Sequence, residues 1–67
     1  MRVELTDHIP YGFPFVAMLR GTEADHRRVD TPVIVQGYFG LERHYFHVQL
    51  PNKNYTVAND SMLYVET

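Results

Sequence analysis

The chain has 67 residues, 45% of them apolar, 21% charged and 13% aromatic, and one small domain over residues 1–67 is expected, since domains typically run to roughly 100–150 residues. Six Lys or Arg against eight Asp or Glu give a net charge of −2, the wrong sign for a protein that coats phosphates. The lack of cysteine removes disulfides, thiolate metal sites and thiol nucleophiles together.

In chain order, Met1–Thr6 alternates Val3 and Leu5 against Arg2 and Glu4, the period of a short strand. Pro10 and Pro14 then oppose a helix through Ile9–Phe15. The aromatics of Tyr11–Phe15 are expected either to plug one end of the core or to join an interface. Phe15–Arg20 reads as a strand, and its apolar run is far too short for the roughly 20 residues of a membrane-spanning helix. A long polar loop follows near residues 21–31, carrying Glu23, Asp25, His26, Arg27, Arg28 and Asp30.

The second half is rich in β-branched and aromatic residues. Strands are predicted at Val33–Phe39, His44–Leu50, Tyr55–Ala58 and Leu63–Val65, separated by Gly40–Arg43, Pro51–Asn54 and Asn59–Ser61. A four-residue Gly40–Arg43 loop sets Tyr38 opposite Tyr45, Gly37 opposite Phe46 and Val35 opposite Val48. One face then holds Val33, Val35, Phe46, Val48 and Leu50, and Phe46 covers Gly37. The other face holds Ile34, Gln36, Tyr38, Tyr45, His47 and Gln49. A four-residue Pro51–Asn54 turn places Val57 on the core face, and Thr56 and Ala58 outside.

This all-β layout of about five strands resembles an SH3-like small barrel, with the meander followed by a final strand ending in Tyr64-Val65-Glu66. The chain has no tryptophan, so the proline-peptide recognition of signalling SH3 domains is not implied. Fold alone supplies no function.

Catalytic sets are missing. Ser61 lacks a nucleophile elbow and reads as a turn residue, and no glycine-rich phosphate loop is present. No enzyme activity and no cofactor are expected. His44 and His47 point to opposite faces if they share a strand, and no zinc motif surrounds His8 or His26, so no metal site is expected. Asn54-Tyr55-Thr56 and Asn59-Asp60-Ser61 match the glycosylation triplet. No basic segment leads into an apolar one near Met1, so the cytoplasm is the expected compartment and the triplets are coincidental.

Binding remains. A charge-poor, tyrosine-bearing face has the makeup of a protein interface core, and Gln36, Tyr38, Arg43, Tyr45, His47 and Gln49 are its candidate residues. A chain this short buries only about 60% of its unfolded surface, which favours self-association or docking on another protein. The expected role is stoichiometric binding as an inhibitor or adaptor, of the size that phages and mobile elements encode. Single-stranded nucleic acid is the alternative, through base stacking on Tyr38 and Tyr45. Acidic neighbours of Arg27, Arg28 and Arg43 disfavour it.

Overall fold

A computed structural model describes residues 1–6, 9, 12–21, 29–41 and 43–66. Among them the chain is all β: β1 (Arg2–Glu4), β2 (Phe15–Leu19), β3 (Thr31–Tyr38), β4 (Tyr45–Gln49), β5 (Tyr55–Asn59) and β6 (Leu63–Glu66), with one 3₁₀ turn at Asp60–Met62. The strands form a single antiparallel sheet in the order β1-β6-β2-β3-β4-β5. Its end strands, β1 and β5, are not paired with each other. The sheet is therefore open.

Alternation along each strand puts one set of side chains inside. Phe15, Ala17 and Leu19 of β2, Val33 and Val35 of β3, Phe46 and Val48 of β4, Ala58 of β5, and Leu63 and Val65 of β6 are buried together with Leu5. Phe46, Leu63, Val35 and Val48 are the largest fully buried side chains, each worth roughly 1.5–3 kcal/mol of transfer free energy. Phe13 caps one end of this core. Its ring lies 5.7 Å from Phe15, 5.3 Å from Tyr38 and 6.4 Å from Phe46. Phe13 thus packs over this end of the core while staying 38% exposed, and Tyr11 lies outside the described residues.

The β3–β4 register matches expectation at Ile34↔Gln49 and Val35↔Val48, then slips by one. A bulge at Gln36 leaves Gly37 opposite His47 and Tyr38 opposite Phe46. One extra residue in one strand reverses the faces beyond it. Tyr38 consequently sits on the Phe46 side, ring centroids 5.3 Å apart, and not beside Tyr45. Phe46 does not cover Gly37 either: no atom lies within 4 Å of where a Cβ would stand. The loop is longer than expected, because Phe39 N–H donates to the Tyr45 carbonyl and Gly40 turns the chain at φ 80°.

The β4–β5 turn corrects a second expectation. Lys53 N–H donates to the Leu50 carbonyl at 2.9 Å, and Leu50 N–H to the Asn54 carbonyl at 2.7 Å. The loop is therefore three residues, with Lys53 left-handed at φ 71°, a bulged hairpin normally built on glycine. The shorter loop pairs Phe46 with Ala58, His47 with Val57 and Val48 with Thr56. Val57 faces out, and Ala58 is buried.

The expected long loop lies mostly at 22–28, outside the described residues. Its ends are tied: Gly21 N–H donates to Asp30 Oδ1 at 3.0 Å, and Thr31 already belongs to β3.

Candidate functional site

The outer face of β2 to β5 carries most of the sheet's exposed apolar side chains. Val16 pairs with Ile34, Ile34 with Gln49, and Gln49 with Tyr55, making one row across four strands. His47 and Val57 form the next row, and Tyr45 with Asn59 the last. Val16 is 61% exposed, Tyr55 56%, Val57 42%, Tyr45 42% and Ile34 39%. The His47 and Tyr55 rings lie 5.0 Å apart on the diagonal between neighbouring rows, as long cross-strand side chains can. At the lower end a groove of about 390 Å³ is lined by Val16, Pro32, Ile34, Leu50, Pro51 and Lys53, among others.

No Asp, Glu, Lys or Arg stands at an outward position within β2, β3, β4 or β5. Large apolar groups exposed side by side and free of charge are the signature of an interaction surface.

Of the six candidate residues, Tyr45, His47 and Gln49 share this face. Gln36 sits at the bulge, half-buried. Tyr38 and Arg43 leave the set. The Arg43 guanidinium lies 5.6 Å from the Tyr38 ring, so the two form a pair at the Phe46 end of the molecule. The face gains Val16, Tyr55 and Val57, which sequence reasoning missed. The φ of Lys53 decides the last two, and a lysine gives no turn signal.

A polar cluster at the opposite edge was also missed. The Tyr64 hydroxyl donates to Asp30 Oδ2, and the Arg2 and Arg20 guanidinium carbons lie 4.2 and 5.0 Å from the Tyr64 ring centroid. Arg20 also bonds Glu4 and donates to the Ser61 carbonyl at 2.7 Å. The bond from Tyr64, helped by Gly21 N–H, holds Asp30 below its usual carboxylate range and lifts Tyr64 above its ordinary value. The bond to Arg20 lowers Glu4 and raises Arg20. Among the described residues no buried side-chain polar atom lacks a partner. This cluster ties the β1 edge to β6, Arg20 and Asp30.

Ser61 is held by its neighbour: Asn59 Oδ1 accepts from Ser61 N–H at 2.9 Å and from its hydroxyl at 3.1 Å. Asn59 is the cap of the 3₁₀ turn, and Ser61 is the capped residue. His44 Nδ1 lies 3.2 Å from Asp60 Oδ2, and His47 lies on the outer face. Among the described residues no three His, Asp or Glu side chains converge in a way that could hold a metal. His8 and His26 lie outside them. No described helix is long and apolar enough to cross a membrane.

Compared with known families, curated proteins and solved structures, the chain shows no significant match. Its function must be read from its own surface.

Proposed function

We propose that the protein is a non-enzymatic binding domain that associates stoichiometrically with another protein through the outer face of β2–β5, as a cytoplasmic inhibitor or adaptor. The observation that carries this reading is the row Val16–Ile34–Gln49–Tyr55, which crosses four strands without a formal charge and in which Val16, Ile34 and Tyr55 are exposed and Gln49 half-buried. We also read the open sheet as an SH3-like arrangement. In its favour, β2 to β5 run as a meander, a 3₁₀ turn follows, and β6 returns beside β2.

On such a face the rigid, amphipathic tyrosines supply area at low entropic cost, while His47 and Gln49 set orientation by hydrogen bonding. The test is one variant read twice, for folding and for binding to a partner captured on the wild-type protein. Tyr45→Ala should weaken binding by about 2 kcal/mol or more, yet cost folding only about 0.2–1 kcal/mol. Unchanged binding would refute this role for the face. Loss of the fold would return Tyr45 to the core.

The alternative, single-stranded nucleic acid, draws support from the adjacent His47 and Tyr55 rings, onto which a base could stack. It requires affinity that falls linearly with the logarithm of salt concentration. The lack of a cationic side chain at the outward positions of β2–β5 favours the protein partner.

A further inference from the structure

The edge strand β5 has main-chain groups that nothing described in the chain satisfies. Leu50 N–H donates to the Asn54 carbonyl, and Asp60 N–H donates to the His44 carbonyl at 2.8 Å. These bonds fix both ends of the β4–β5 ladder. Antiparallel ladders alternate, so Thr56 and Ala58 turn their N–H and C=O toward β4. Tyr55 and Val57 turn theirs away from the sheet, and so does the N–H of Asn59.

Natural edges are usually protected by short length, proline or charge. β5 has none of these. Its sequence, Tyr-Thr-Val-Ala-Asn, has five uncharged residues and no proline. Tyr55 and Val57 are both exposed beside the open main-chain groups.

We propose that β5 pairs antiparallel with β5 of a second copy, about a two-fold axis through Val57, to form a symmetric dimer. This specifies the self-association to which the small buried fraction of so short a chain already points; it does not depend on a foreign partner occupying the outer face. Centred there, Val57 exchanges both main-chain bonds with the second copy's Val57. The Asn59 N–H of each copy reaches the Tyr55 carbonyl of the other. A two-fold interface must be self-complementary, and the charges flanking β5 meet that requirement. Lys53 precedes the strand and Asp60, whose carboxylate lies 3.2 Å from His44 Nδ1, follows it. Pairing about Val57 sets Lys53 opposite Ser61 and Asp60 opposite Asn54, so the basic end of each copy meets the acidic end of the other. The uncharged strand places no like charges opposite each other. The outer faces of the two copies then form one continuous surface, with Tyr55 and Val57 of each copy next to the axis.

Three measurements test this. The wild-type mass in solution should be twice the 7.9 kDa of one chain. Val57→Pro removes the outward N–H at the axis, and edge strands tolerate proline where the N–H faces solvent. Val57→Lys places like charges across the axis and serves as the second variant. Both should be monomeric and folded. In the wild-type protein, exchange of the Tyr55 and Val57 amides should slow by about tenfold or more as concentration rises, while the core amides hold steady.

A wild-type monomer at millimolar concentration would overturn the proposal, as would a dimer that persists in both variants. Protection of the same two amides only when a foreign protein is added would also overturn it, in favour of an invading strand. Loss of partner binding in Tyr45→Ala with the dimer intact bears on the outer face alone, so the two readings fail separately.

Discussion

The two edges of the sheet are built on opposite rules. β1 has three residues, and its outward pair Arg2 and Glu4 is committed within the chain: Arg2 lies 3.6 Å from Glu66, and Glu4 bonds Arg20. Behind them Tyr64 is buried under two guanidinium groups and bonded to Asp30. β5 has five uncharged residues, and exposes two large side chains next to open main-chain groups. An edge finished by its own charges needs no further partner. An edge without them invites another strand, and here that edge borders the face bearing the uncharged row Val16–Ile34–Gln49–Tyr55.

The largest effect comes from the core beneath the β5 edge. Phe46 is fully buried opposite Ala58, and Phe46→Ala should cost about 3–5 kcal/mol. Total stability for a chain of this size is only about 3–10 kcal/mol, so urea titration should find this variant largely unfolded. A small loss would mean that β4 and β5 are not packed as described.

Titration should separate the edges next. The lowered carboxyls of Asp30 and Glu4 contribute stability above their ordinary values, and that contribution is lost as pH falls through their lowered folded values. The raised Tyr64 hydroxyl works in the other direction. Its contribution is present below its ordinary value of 10.0 and is lost as pH rises through the folded one. The β1 edge should thus weaken at both extremes. Asp30→Asn should flatten the acid limb of urea midpoint against pH, and an unchanged limb would show that the Tyr64 bond carries no linkage.

The smallest change sharpens the contrast at the β5 turn. Lys53 adopts a left-handed conformation that costs a side-chain-bearing residue roughly 1–2 kcal/mol. Lys53→Gly relieves it and should raise stability by about 1 kcal/mol, after the glycine's own entropic loss. Destabilisation would place the turn elsewhere.

Much of the fold was legible in the sequence because period-2 patterning is dense from Pro32 onward. The pairing of Val35 with Val48, and the burial of Val33, Val35, Phe46 and Val48, followed from it directly. The misses share a cause. A bulge at Gln36 and a left-handed Lys53 each shift the register by one residue, and neither residue type advertises that geometry. Tyr38 moved inward and Val57 outward as a result, so half of the candidate face was misdrawn. The cluster at β1 was invisible for another reason. Glu4, Arg20, Asp30 and Tyr64 lie far apart in sequence and meet only once β6 enters between β1 and β2.

Both the outer face and the dimer edge depend on the register of β5, and one pair of lysine substitutions tests it. Val57 is 42% exposed and Ala58 only 2%, so their thermal unfolding should differ sharply at low protein concentration. Val57→Lys should stay within about 0.5 kcal/mol of the parent, as a surface change does. Ala58→Lys buries an unpaired charge, which costs several kcal/mol, on the order of 3–5, and should abolish cooperative unfolding. The reverse pattern, with Ala58→Lys folded and Val57→Lys unfolded, would contradict the face and the edge together.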